Sequence, residues 1–322
     1  MAQNPFAGPP PSYEAAVDAS RANGSNTAQG DPPPYHNWQE AVPDTSVFPP
    51  PPVQGYYSSG TGNASADDAD RAHEFCDSTP LWIPTMPSSA VWRDVHEHRN
   101  LRPVQPVEFQ GTLKSSSQGR WSGATRDRNG DCLVVSHLPL YFAAMDSPLL
   151  RNDGHDTVIY FEVKLKGLRA GPGSGEGESG FSIGFVAQPY PSWRSPGWER
   201  GSLGVCSDDG CRFVNDSWGG RDFTTPFQVG ETVGLGMVFS APKGIRRSSS
   251  DKKEMSRMCD VEIFFTRNGR RAGGWNLHEE MDADSGGIEG LEGDFDLYGA
   301  IGLFGGIDFE SCFNPAGWLW KP

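Results

Sequence analysis

The chain has 322 residues with 40 Gly and 27 Pro, about a fifth of the sequence against the roughly 12% of average usage. Its formal net charge is −14, and neither the first 80 residues nor the remainder offers the basic stripe that phosphate backbones require, so no nucleic-acid partner is expected. No apolar run approaches the roughly 18 residues of a membrane span, and the N-terminus has neither the basic nor the apolar region of a secretory signal. Six Cys in such a chain read as reduced thiols, which points to a cytoplasmic protein.

The first 62 residues hold 12 Pro and 6 Gly, no Leu or Ile precedes Leu81, and no Lys precedes Lys114. Apolar surface this sparse cannot offset the entropy of ordering, so a disordered Pro-rich tail is expected over residues 1–80. Two elements stand out in it. Pro9-Pro10-Pro11-Ser12-Tyr13 and Pro32-Pro33-Pro34-Tyr35 both satisfy Pro-Pro-x-Tyr. Adjacent prolines hold φ at about −65° and preform a polyproline II helix, leaving little entropy to lose on docking. A WW domain offers an aromatic groove for such prolines and a second pocket for the tyrosine ring. Pro10, Pro11 and Tyr13, with Pro32, Pro33 and Tyr35, are the candidate WW-binding residues. Two copies on one flexible tail gain by effective concentration. The proline run at 49–52 has no Tyr at matching distance and reads as a stiff spacer, or at most a weak Src-homology-three-type ligand.

From about residue 107 the pattern turns to short strands. Residues 159–166 alternate as a half-buried strand does, with Tyr160 out of phase. Residues 181–187, 232–239, 261–266 and 297–304 are further runs rich in Val, Ile and Phe. Asn268-Gly269, directly after Phe264-Phe265-Thr266-Arg267, is a type I′ hairpin signal. No long helical period with caps is evident. The fold class expected is all-β, a two-sheet antiparallel sandwich. Three stretches read as long surface loops: Gly-rich 170–180, basic 241–258 and acidic 276–296. Arg246-Arg247-Ser248-Ser249 in the second fits a basophilic kinase site at Ser249.

Here the residues carry a likeness. Tyr160-Phe161-Glu162-Val163, Ile183-Gly184-Phe185, Ser195-Pro196-Gly197-Trp198 and Ser207-Asp208-Asp209-Gly210 follow one another in order. Phe227 with Gly230, Val233-Gly234, Phe265-Thr266-Arg267-Asn268-Gly269, Leu297-Tyr298 and Ile301-Gly302-Leu303 complete the series. This order resembles the SPRY domain. The Pro-Gly-Trp and Asp-Asp-Gly blocks are most similar to the Ran-binding-protein-M branch and to fungal endosomal and vacuolar adaptors of HECT-type ubiquitin ligases. The resemblance implies a concanavalin-like sandwich over 150–318 that recognises proteins through loops at one edge, without catalysis or cofactor. Trp193, Trp198, Asp208, Asp209 and Trp218 form the candidate protein-binding face it implies. Residues 81–149, with Trp82, Trp92 and Trp121, are expected to pack on the sandwich as an extension. The fungal adaptors carry a membrane-spanning segment that is not seen in this chain. Recruitment to endosomal or vacuolar membranes is therefore expected through partners.

Other signatures are weaker on chemical grounds. Residues 175–180 spell a dinucleotide fingerprint, but a strand follows where a helix is needed, and Glu176 and Glu178 repel phosphate. Asp282, Asp284 and Gly287 fit a calcium loop that lacks its bidentate Glu. Cys206 with Cys211, and His96 with His98 on a shared strand face, have no further ligand, so no metal is expected. Asp208 and Asp209 would be the acid pair of a carbohydrate-active sandwich, or an Asp-Gly turn whose carboxylates bond backbone N–H groups. Trp198 either lines a binding surface or plugs the sandwich. The function read from all this is a non-catalytic adaptor that recruits a WW-domain HECT ubiquitin ligase through its tail and selects protein cargo through the sandwich. The alternatives are a scaffold subunit of a ubiquitin-ligase or trafficking assembly, and a carbohydrate-active β-sandwich protein.

Overall fold

A computed structural model describes residues 65–151, 153–169, 179–216, 220–242, 258–280 and 288–321. The Pro-Pro-x-Tyr elements, Trp218, Ser249, the calcium-loop residues 282–287 and most of the Gly-rich and basic insertions lie outside them.

Three α-helices are described: α1 (Ala66–Ser78), α2 (Ser89–His96) and the single turn α3 (Ala143–Asp146). The strands are β1 (Pro103–Val104), β2 (Gly111–Ser117), β3 (Arg120–Thr125), β4 (Cys132–Ser136), β5 (Thr157–Arg169), β6 (Gly180–Ala187) and β7 (Ser202–Cys206). They continue with β8 (Cys211–Val214), β9 (Arg221–Asp222), β10 (Thr232–Ser240), β11 (Asp260–Arg267), β12 (Arg270–Asn276), β13 (Leu297–Phe304) and β14 (Gly306–Cys312). Two antiparallel sheets result. The first has the order β1-β4-β13-β6-β7-β8-β9 and the second β12-β11-β10-β5-β14-β3-β2. The all-β, two-sheet expectation is met.

Side chains alternate across a strand, so each sheet turns every second residue inward. Phe161, Val163 and Leu165 of β5 meet Phe181, Ile183 and Phe185 of β6 in this way, and all six are buried. Phe161 and Phe185 touch edge to face across the sheets at 5.5 Å. Leu235, Met237 and Phe239 of β10 and Val261, Ile263 and Phe265 of β11 extend the same core. At the hairpin between β11 and β12, Asn268 has φ 49° and Gly269 φ 76°, the left-handed pair a type I′ turn needs.

The out-of-phase Tyr160 has a physical reason. It lies on the outer face of the second sheet beneath the C-terminal segment, its ring 4.7 Å from Trp318 and 4.8 Å from Trp320. Outward Gly234 and Gly236 on β10 leave room for the rings of Tyr160 and Phe264. Glu162, two residues on, is buried at the same face and accepts the backbone N–H groups of Leu319 and Trp320, each at 2.9 Å.

Four expectations are corrected. The segment expected to be disordered to residue 80 ends in α1, which Ser65 opens by accepting from Asp68 N and donating to Asp68 Oδ2. The sandwich does not start at 150. β4 pairs with β13 and β3 with β14, so residues 103–136 supply strands to both sheets rather than an extension upon them. Of the Trp residues in 81–149, Trp92 donates to Asp146 Oδ1 and Trp121 to Leu101 O, while Trp82 is exposed. His96 and His98 share no strand face, since His96 ends α2 and meets Asp146 Oδ2 at 3.1 Å. The acidic stretch is not wholly a solvated loop. Ile288, Leu291 and Glu292 are buried, and Glu292 sits 3.2 Å from His278 Nε2.

All six cysteines are free, and burial pushes the thiols of Cys76 to about 11 and Cys132 to about 12. Neither a disulfide nor an easily formed thiolate supports the fold. Reductant is therefore expected to leave the melting midpoint unchanged, which a calorimetric scan checks directly.

Candidate functional site

The first sheet has glycine at facing outward positions: Gly184 on β6 is opposite Gly204 on β7, and Gly302 lies on β13. These gaps let the β6–β7 loop lie flat on the sheet. A Cβ at Gly184 would stand 2.6 Å from Pro196 Cβ, and one at Gly302 would stand 2.7 Å from Ser195 Oγ. The Ser195-Pro196-Gly197-Trp198 block is thus tied to the glycines of distant strands by close approach. Tyr190 holds the loop from within: its hydroxyl donates to Ser195 O at 2.6 Å and accepts from Glu199 N at 3.1 Å.

A buried ion pair spans this loop. Arg194 Nε is 2.8 Å from Glu199 Oε1, and both side chains are 4% exposed. The Arg194 guanidinium also covers the Trp198 ring at 4.6 Å. Trp198 packs near Phe213 at 6.3 Å, and its indole N–H is buried without a partner among the described residues.

Trp193, by contrast, is covered by α1. Arg71 lies over its ring at 3.7 Å, Phe75 meets it edge-on at 6.0 Å, and its N–H donates to Asp68 O at 3.1 Å. Arg200 donates to Cys76 O at 3.2 Å and also to Thr79 O, meeting the negative end of the helix dipole. His73 stands 3.7 Å from Glu199 Oε2.

The β7–β8 connection carries Asp208 and Asp209. Asp209 Oδ1 accepts from Cys211 N at 2.8 Å, as in an Asx turn, and Gly210 takes φ 78°. Burial, helped by the neighbouring Asp209 charge, raises the Asp208 carboxyl above its usual value. Asp131 is pushed further, to about 7, chiefly by burial; Arg194 pulls it down, while Asp68 and Asp208 add to the rise. Its Oδ1 meets no donor among the described residues.

The structure thus places Trp193 and Trp198 in one loop and Asp208 and Asp209 in the next connection, with Asp131 under the electrostatic influence of both. Trp218 is not described. Arg71, Phe75, Asp131, Arg194, Glu199 and Arg200 were not singled out by sequence reasoning. The Ser65-x-x-Asp68 capping signal is the one clue to α1 that the sequence carried. Among the described residues no group of three or more His, Cys, Asp or Glu is arranged to hold a metal. No described helix is long and apolar enough to cross a membrane.

Asp131 sets a pH dependence. Its folded value of about 7 exceeds the unfolded one, so the folded chain keeps a proton that the unfolded chain releases in between. Stability from this group is full below the unfolded value and is lost as pH rises towards 7. Asp131→Asn is expected to stabilise the protein at pH 8 by about 1–2 kcal/mol, a figure reduced for partial solvent screening, and to do little at pH 4. Urea titrations at the two pH values read the difference.

No family model matches the chain. A SPRY domain-containing protein of Schizosaccharomyces pombe is 32% identical over 143 residues, 44% of this chain and 27% of that protein. The likeness is to a SPRY domain protein. The chain spans about a quarter of that relative's length. Among solved structures, a human SPRY domain is 18% identical, covering 66% of this chain and 97% of that one, with TM-score 0.35. The SPRY domain of human HERC1 is 11% identical, covering 67% and 96%, with TM-score 0.30. An alginate lyase from Aplysia kurodai is 10% identical, covering 73% and 100%, with TM-score 0.29.

Proposed function

We propose that the sandwich is a SPRY-type protein-recognition module, and that the chain is a non-catalytic adaptor for a WW-domain HECT ubiquitin ligase. The observation that carries this reading is the pair of Pro-Pro-x-Tyr elements in a chain that is 32% identical over 143 residues to a SPRY domain-containing protein. Pro10, Pro11 and Tyr13, with Pro32, Pro33 and Tyr35, dock the ligase. The loops around Trp193, Trp198, Asp208 and Asp209, together with Trp218, select the protein to be modified. Tethering raises the concentration of cargo at the ligase, and no bond is made or broken here. The adaptor works in the cytoplasm and reaches endosomal or vacuolar membranes through its partners, with Ser249 as a phosphorylation site in the basic insertion.

Grafting tests it most directly. Residues 1–40 fused to a cargo-binding domain of known target are expected to bring about ubiquitination of that target by the ligase. The Tyr13→Ala and Tyr35→Ala pair should abolish the effect, because each ring is an anchor whose loss costs about 1–3 kcal/mol. Equal modification with and without the two tyrosines would remove the tethering reading.

A further inference from the structure

We infer that Trp193, Glu199 and Arg200 form a helix-recognition seat, held in this chain by its own α1. The partner it fits is a short helix with an arginine and an aromatic residue four positions apart, a small residue between them, and last-turn carbonyls open to a guanidinium. This deepens, and rests on, the reading of the sandwich as a recognition module.

The seat is defined by what α1 presents to it. Arg71 and Phe75 are one helical turn apart and therefore share a face, and between them they clamp the Trp193 ring. Ala72 sits fully buried between them, where a larger side chain would lift the helix away. Asp68 O receives the Trp193 N–H at one end, and Cys76 O and Thr79 O receive Arg200 at the other. Glu199 faces the helix through His73 Nε2 at 3.7 Å and Cys76 Sγ at 3.9 Å. Tryptophan and arginine at the centre, with a helix laid across them, is the chemistry of a protein interface rather than of a core.

Four observations make the helix replaceable. Ala72 is the one α1 residue wholly buried, and Asp67, Asp70, Glu74 and Asp77 are exposed. At 13 residues α1 is too short to be stable alone, so its helical form depends on the seat. The chain after it has its own anchor. Leu81 is buried next to Gly201 and Gly290, and Trp82 N donates to Gln188 O at 2.7 Å. Glu199 keeps Arg194 when α1 leaves, so departure strands no buried charge. An incoming helix must compete with α1 at high effective concentration, so the seat is closed to weak ligands until α1 is loosened.

A fluorescein-labelled peptide of residues 65–79 serves as probe, added to the full chain. The Arg71→Ala, Phe75→Ala protein, in which the internal helix is weakened, is expected to bind it at least about tenfold tighter than wild type by anisotropy. Adding Trp193→Ala to that protein should abolish binding. Because Trp193→Ala risks misfolding, Arg200→Gln, checked by its melting curve, serves as the second receptor variant and should weaken binding likewise. Equal binding to wild type and loosened protein, no binding to either, or binding that ignores both receptor variants would overturn the seat. Unfolding of the loosened protein would do the same, by showing that α1 is structural. Peptide binding alongside a failed graft of residues 1–40 sinks the adaptor reading and supports the seat. A successful graft without peptide binding sinks the seat alone.

Discussion

Arg194→Ala is expected to lower the unfolding free energy by about 3–5 kcal/mol at neutral pH, the usual cost of stranding a buried charge. Arg194 and Glu199 are 2.8 Å apart and each 4% exposed, so water cannot replace the guanidinium. His73, 3.7 Å from Glu199 and more open to solvent, offers a poor substitute. The loss should also reach Trp198, whose ring Arg194 covers, and so shift the tryptophan emission. Replacing both members, with Arg194→Met and Glu199→Leu, should recover most of the stability, since no charge is then left buried. Urea denaturation of the two singles and the double gives the coupling. A single-variant loss below about 1 kcal/mol would show that the pair behaves as a solvated surface bridge.

The strands were legible where the second-sheet and first-sheet cores needed strong patterns. β5, β6, β10, β11 and β13 fall on the expected apolar runs, and the Asn268-Gly269 turn joins β11 to β12 as its residue types require. β2 and β3 were not read as parts of the sandwich because their sequences, Gly-Thr-Leu-Lys-Ser-Ser-Ser and Arg-Trp-Ser-Gly-Ala-Thr, carry few large apolar groups. β2 is the edge of its sheet and needs none. α1 was hidden for a different reason. Its five acids and lack of Leu or Ile look disordered by composition, and what orders it is the Trp193 surface some 120 residues away. The same separation hid the site. Trp193 and Trp198 are visible as aromatics in a turn-rich stretch, but whether an aromatic is open or covered depends on which distant segment lies on it.

Glu162 is the second place where a single side chain should have a large effect. It sits buried on the outer face of the second sheet, and Tyr160 donates to its Oε1 at 2.9 Å. Its two oxygens also receive Leu319 N and Trp320 N, which fastens the C-terminal segment across β5 and β11. Hydrogen bonds to a charged acceptor contribute about 1.5–3 kcal/mol each, so Glu162→Ala is expected to cost about 3–5 kcal/mol once partial rehydration of the freed N–H groups is allowed for. Glu162→Gln should cost nearly as much. An amide has one accepting oxygen, so its NH2 group would face one of the two backbone donors. The tryptophans report the mechanism as well as the loss. Trp320 rests 4.9 Å from Phe264 and Trp318 4.7 Å from Tyr160, and release of the segment would wet both indoles. Their emission should shift to the red at denaturant concentrations well below the main unfolding transition in both variants, while wild type shows one coincident transition. Coincident transitions in the Gln variant would mean that aromatic packing, rather than the carboxylate, holds the segment in place.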